Sequence, residues 1–275
     1  MAFAHPSGTT AGKSRSPGAI SGVVDGAFST TDLHRLDEAI RDARFAAAAP
    51  ASVLLSPLAP HGEAAALTER ECVFDHCAVL LFPTTLAEGL RHLRERGLAP
   101  LPTVPSTVVR GRLAERHGLD PAQCEIHITR LRLELPDGRR HAAVEVFLFP
   151  RDSAAFGERI EAVETTAGFE NHTAYVVGRP SAPVLRRLVT AWQDEAGLLW
   201  EGGGHNPHEG GPAGSTVLYF VRDERHPALR RRFELHCAGD QREATADLPR
   251  SAQAVRRAYR AWPAAAQDTA RPTTG

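Results

Sequence analysis

The stretch Phe74-Asp75-His76-Cys77-Ala78-Val79 recurs in type, though not in identity, as Asn171-His172-Thr173-Ala174-Tyr175-Val176-Val177. In each, a histidine is embedded in a short run of apolar and β-branched residues, the composition of a strand. Working outward, each run is followed by a helical pattern and then by further strands. After Val73 to Phe82 comes an amphipathic segment from Thr85 to Gly97, stopped by Gly97 and Pro100. An irregular stretch leads to a strand at Cys124 to Leu135, a turn at Pro136-Asp137-Gly138 and a paired strand at His141 to Pro150. The second run leads to a helix from about Pro183 to Ala196, a Gly-rich segment, and strands at Ser215 to Arg222 and Arg231 to Ala238. The order strand, helix, strands occurs twice.

Each half also closes on a carboxylate inside an apolar strand: Val144-Glu145-Val146-Phe147 in the first and Phe233-Glu234-Leu235-His236 in the second. An ionised carboxylate flanked by Val, Phe and Leu loses water that its neighbours cannot replace, so it needs a compensating charge. Two such carboxylates matched with two strand histidines point to a shared cation. In this pattern the chain resembles the vicinal oxygen chelate superfamily, the glyoxalase and extradiol dioxygenase relatives, from about Val73 to Asp240. The resemblance implies an α+β fold, two βαβββ modules forming a half-open mixed-sheet barrel around a metal site. It also implies that the first and last strands of each module supply the ligands, so that His76, Glu145, His172 and Glu234 hold one divalent ion per chain, Fe2+, Mn2+, Zn2+ or Ni2+.

The implied domain plan is a flexible N-terminal arm over 1–30, a helical extension over 31–70, modules over 71–155 and 165–245, and a C-terminal helix and tail over 246–275. The arm is rich in Gly, Ser, Thr and Pro, and the extension opens with a Thr31-Asp32 cap before Leu33, Leu36 and Ile40, giving a helix to about Ala48 and then a Pro-broken connector to about Arg70.

Residues two apart share a strand face, which places His236 beside Glu234 and groups Glu125, His127 and Thr129. His127 and His236 are therefore candidate proton shuttles, alongside Glu145 as catalytic base. The segment Glu201 to Gly214 combines six glycines with His205 and His208 and reads as a lid that brings these histidines to substrate or metal.

The resemblance implies two chemistries. In the first, a Lewis-acid metal stabilises an enediolate while a carboxylate moves the proton, as in an isomerase, epimerase or lyase acting on a small oxygen-bidentate metabolite. In the second, His76, His172 and Glu234 form the facial triad of a non-heme Fe(II) dioxygenase and Glu145 stays off the metal. A metal-free antibiotic-sequestering protein of the same superfamily is a third reading, opposed by the retention of all four ligand positions.

Composition narrows the remaining classes. The 275 residues are 42% apolar with a formal charge of −1 and no basic stripe, which excludes nucleic acid and anionic membrane as evident partners. The expected partner is a small-molecule substrate, with a homodimer as the assembly to test. Four cysteines lack CxxC spacing, and no apolar stretch at the start has the length of a signal peptide or span, so a cytoplasmic protein with reduced thiols is expected. GxSxG and phosphate-loop motifs are absent. A single lysine, Lys13, among abundant Arg, Ala and Pro reads as the bias of a GC-rich bacterial genome, and specialised metabolism is the expected setting.

Overall fold

Strand β1 (Cys72–Leu81) and strand β5 (His172–Val177) form the antiparallel centre of the protein, with Ala78 opposite His172 and His76 opposite Ala174. The computed structural model describes residues 26–55, 62–208, 211–222, 230–250 and 252–269, with side chains of the last helix as far as Trp262. The expected arm falls mostly outside these residues, as do the polar tail after 269 and part of the connector before Arg70.

Each central strand is flanked by the last strand of its own half, in parallel: β4 (Arg140–Leu148) beside β1 and β8 (Arg232–Ala238) beside β5. Antiparallel neighbours extend the sheet outward, β3 (His127–Glu134) and the two-residue β2 (Val104–Pro105) on one side, β7 (Ser215–Arg222) and β6 (Leu198–Asn206) on the other. The order β2-β3-β4-β1-β5-β8-β7-β6 is the same in both directions from the middle. The result is an α+β fold whose eight-stranded mixed sheet curls into a half-barrel.

The parallel pairs need crossovers, which begin with α4 (Leu86–Glu95) and α7 (Ala182–Asp194). Thr85 caps α4 by accepting a hydrogen bond from the Glu88 amide, and Pro183 sits in the first turn of α7. Alternation then sorts the strands. Cys77, Val79 and Leu81 face the same core as Val144, Val146 and Leu148, under α1 (Thr30–Ala48), with Trp192 of α7 in the same cluster. His76, Ala78, Leu80, Glu145 and Phe147 face the concave side. Both faces are covered, so the strands read as nearly continuous apolar runs.

The structure differs from the sequence reading in several elements. The N-cap of α1 is Ser29, in a reciprocal capping box with Asp32, so Thr31 and Asp32 lie inside the first turn. Much of the expected connector is helical: α2 (Ala51–Leu55) and α3 (Glu63–Glu71) pack there, and Thr68 accepts a hydrogen bond from the Trp192 indole at 2.8 Å. The irregular stretch after Pro100 holds α5 (Thr107–His117), capped by Ser106 and ended by Gly118 in the left-handed conformation. Helix α6 (Glu158–Ala167) fills the link between the halves. After β8 come α8 (Arg242–Thr245) and α9 (Ala252–Thr269). Among the described residues no helix is long and apolar enough to cross a membrane.

The Gly-rich segment is not a free lid as far as Asn206, because Glu201 to Asn206 belongs to β6 and pairs with β7. Its glycines serve close approach. A Cβ at Gly203 would run into the Val217 carbonyl, and one at Gly204 would meet Val108 of α5 at 3.0 Å.

Candidate metal centre

The register of β1 against β5 shifts between Phe74 and His76, so Asp75 is an extra residue in the ladder. Such a bulge breaks strict alternation and lets consecutive side chains converge. Asp75 and His76 are both buried, and Asp75 Oδ2 lies 2.9 Å from His76 Nδ1. His76 Nε2 is thereby turned into the concave face, where it stands 3.3 Å from His172 Nε2. On β5, His172 Nδ1 donates to the Glu170 carbonyl at 2.8 Å, leaving its Nε2 to point inward as well. The last strands complete the group: Glu234 Oε2 is 3.1 Å from His172 Nε2, and Glu145 Oε2 is 3.4 Å from His76 Nε2.

His76, His172 and Glu234 are all buried, and their ligand atoms lie within 4.8 Å of one another. Glu145 stands beside this set. Its Oε1 accepts from Arg130 Nε at 3.2 Å, and the same guanidinium reaches Asp75 Oδ2 at 2.9 Å. His236 Nδ1 is 3.3 Å from Asp75 Oδ2, with its ring 6.5 Å from that of His76.

The electrostatics follow from burial opposed by local charge. Burial alone would raise the Glu145 pKa, but the His76 and Arg130 charges outweigh it and hold the carboxyl below its usual value. Glu234 is likewise held down, against burial, by His172 and His76, and Asp75 well down by Arg130, His236 and His76. Burial pulls the His76 pKa down, yet Glu145 and the Asp75 hydrogen bond carry it up to about 10. The His236 pKa is raised because the adjacent Asp75 carboxylate and the Glu234 charge outweigh its desolvation.

These residues fit a divalent cation. Two ligands at ~2.1 Å from one ion, subtending roughly 90–110°, stand about 3.0–3.4 Å apart; His172 Nε2 has that spacing from both His76 Nε2 and Glu234 Oε2. Glu234 Oε2, although near His172, accepts no hydrogen bond among the described residues and is fully buried. The buried carboxylates of Glu145 and Glu234 beside two imidazole nitrogens supply the oxygen and nitrogen donors that a divalent ion takes. Both histidines have their second nitrogen fixed, by a carboxylate and by a carbonyl, the usual support for metal-ligating imidazole.

The other sequence candidates divide. His236 is at the centre. His127 is not: it pairs with Leu148 and so faces the helix-covered side, whereas its strand neighbour Arg130, opposite Glu145, faces the centre. His205 pairs with Thr216, next to the inward Val217 and Gly204 positions, and its ring packs against Gly214 away from the metal group. His208 sits in a turn after β6, where its amide donates to the Asn206 side chain. Asp75 and Arg130 are the residues that the sequence reading did not assign to the centre. The carboxylate Asp75 beside His76 was visible, but its orientation depends on the bulge.

Solvent approaches the centre on the side of His236, Arg130 and His141, whose side chains are 12%, 17% and 40% exposed. A cavity of about 470 Å³ lies elsewhere, between α1, the start of β5 and the start of β8, and of the centre's residues it borders His172 alone.

Fold and site together define a paired-module half-barrel with a buried centre of two histidines and two glutamates. No family model matches the chain, and no curated protein does. Among solved structures it is similar to a triple variant of 4-hydroxymandelate synthase from Streptomyces coelicolor, at 13% identity and a TM-score of 0.34, over 68% of this chain and 55% of that one. It is also similar to a variant of methylmalonyl-CoA epimerase from the same organism in complex with 2-nitronate-propionyl-CoA, at 15% identity and a TM-score of 0.30, over 61% of this chain and 97% of that one. The match thus spans just over half the length of the synthase.

Proposed function

We propose that the chain is a divalent-metal-dependent enzyme of the vicinal oxygen chelate type that moves a proton on a small oxygen-bidentate metabolite, as an isomerase, epimerase or lyase. The observation that carries this reading is the position of Glu145, a second buried carboxylate at the centre, whose Oε2 lies 3.4 Å from His76 Nε2, where it can take a proton from a group bound there. A divalent ion held by His76, His172 and Glu234 would act as a Lewis acid, stabilising the negative charge left on substrate oxygens when a proton is removed.

The chain's own groups then have distinct tasks. Asp75 and the Glu170 carbonyl orient the two imidazoles. Arg130 holds Glu145 through Oε1 and leaves Oε2 toward the centre. Asp75 and His236, 3.3 Å apart, offer a route for protons toward the exposed side. Phe147 and Tyr219 pack on His172, with ring centroids at 6.2 and 5.5 Å, and keep water from its inner flank.

A second reading, an Fe(II) dioxygenase, is favoured by one observation: the tight three-residue set leaves out Glu145, whose Oε1 is taken by Arg130.

Metal analysis of protein purified without chelator or a nickel column tests the shared premise. About one ion per chain is expected in the wild type and none in His172→Ala or Glu234→Ala. Absence from the wild type, or unchanged content in both variants, rejects it. Across a panel of small α-hydroxy and α-oxo carbonyl compounds, oxygen-independent deuterium uptake from D2O, abolished in Glu145→Gln, is the expected outcome. Substrate-dependent O2 consumption with ferrous iron would establish the dioxygenase instead.

A further inference from the structure

The concave face of the second half holds a buried charge cluster that the proposed reaction does not use. Glu170, two residues before β5's His172, is 1% exposed. Its Oε1 accepts from Arg116 Nη2 at 2.9 Å and lies 3.6 Å from Arg112 Nη2, and its Oε2 accepts from Arg232 Nη1 at 3.2 Å. The backbone carbonyl of the same residue takes the Nδ1 proton of His172 at 2.8 Å. One residue is thus gripped by three guanidinium groups at its side chain while its peptide orients a metal-ligand candidate.

The grip is itself anchored. Arg116 also bonds Glu164 of α6 at 2.6 Å, and Arg112 and Arg232 share Glu201 of β6 at 3.0 and 3.3 Å. Arg112 and Arg232 lie over the ring of Tyr219, at 4.6 and 4.0 Å from its centroid, and that ring packs edge-on against His172. Arg112 and Arg116 stand one turn apart on α5, a helix that belongs to the first half of the chain.

We propose that Glu170 is a positioning residue: with Arg112, Arg116 and Arg232 it fixes the peptide whose carbonyl holds the His172 ring with Nε2 toward His76 and Glu234. Helix α5 thereby couples the first half to a ligand of the second. This rests on the metal-centre reading above. A fixed imidazole binds without having to be ordered first, and loss of such outer support costs about 10–100-fold in metal affinity.

The test uses full-length protein, Co2+ titrated against a competing chelator, and the His172 ring nitrogens followed by NMR in the metal-free protein. Glu170→Gln keeps the side-chain shape and removes its charge. It is expected to bind Co2+ about 10–100-fold more weakly and to lose the protected Nδ1–H signal of His172, with Glu170→Asp intermediate. Leu185→Ala, buried on the helix-covered face, lowers stability without touching the cluster and is expected to bind as wild type. Wild-type affinity and ring signal in Glu170→Gln, or an equal loss in Leu185→Ala, would overturn the proposal. If Glu170→Gln does not fold, Arg116→Lys, which keeps the charge but not the two-pronged contact, replaces it. It is expected to shift both readouts in the same direction, and no change in either overturns the idea. Absence of Co2+ binding by the wild type would reject the metal reading, while the Nδ1–H signal in the metal-free variants still decides whether Glu170 positions His172.

Discussion

The two halves of the sheet share strand order and the placement of a histidine on the first strand and a glutamate on the last, yet their concave faces are built from opposite materials. In the first half the floor is apolar: Ala78, Leu80, Phe82, Ile128, Phe147 and Phe149 pack in one cluster. In the second, Arg112, Arg116, Arg232, Glu164, Glu170 and Glu201 gather around Tyr219, beside a smaller apolar cluster of Phe169, Val221, Val255, Ala258 and Trp262. Helix α5 serves both. Its Val109 and Leu113 join the apolar cluster, while Arg112 and Arg116 turn to the charged one. Each pair is four apart, so two adjacent faces of one helix are matched to two different surroundings. A repeated strand plan therefore fixes where the ligands stand without fixing what holds them.

The sharpest way to break this contrast is Arg232→Met. It leaves the buried Glu170 and Glu201 short of a partner, and a cost of about 3–5 kcal/mol in the metal-free protein is expected, read from chemical denaturation. A loss below ~1 kcal/mol, the range of exposed pairs, would mean that the cluster does not support the second half. Next in size is Leu113→Ala on the apolar side of the same helix, at about 2–4 kcal/mol from lost burial and the cavity left behind. The two variants should also differ in kind. The charged cluster responds to pH and the apolar one does not, so the gap between them should narrow in acid, where Glu201, left without Arg232 in the variant, takes up a proton; burial already raises its carboxyl pKa, against the pull of Arg112.

How much of this was legible in the sequence depends on the range of the signal. The repeated strand, helix, strands order and the place of His76, Glu145, His172 and Glu234 inside apolar strands follow from local patterning, whereas the α+β half-barrel and the shared ligand role came from the family resemblance. Asp75 escaped because a bulge reverses its side, and His127 was misplaced because alternation gives a common face for 125, 127 and 129 but not which face that is. The register Arg130↔Glu145 decides it. The Gly-rich segment misled because glycine permits both mobility and close approach, and here Val217 and Val108 require the second. The charged cluster was not readable, since Arg112, Glu170, Glu201 and Arg232 come from four separate parts of the chain and arginine is common throughout.

The smallest expected effect separates the two histidines by what holds them, a carboxylate for His76 and a peptide carbonyl for His172. The native pKa of His76 is carried up from 6.5 to about 10, with Glu145 and Asp75 overcoming burial. Its contribution to the stability of the metal-free protein is therefore full below about pH 6.5 and is lost as pH rises through about 10. Metal binding at Nε2 has the opposite sign, because that proton must leave. Affinity should then rise about tenfold per pH unit, ~1.4 kcal/mol, between pH 7 and 9, with release of about one proton visible by calorimetry in two buffers of different ionisation heat. Asp75→Asn takes away one of the interactions that keep His76 protonated, so the rise in affinity should shift to lower pH and the released fraction of a proton should shrink. An affinity flat across this range in the wild type, or a profile unchanged in Asp75→Asn, would place the proton on another group and remove the distinction between a histidine held by charge and one held by a peptide.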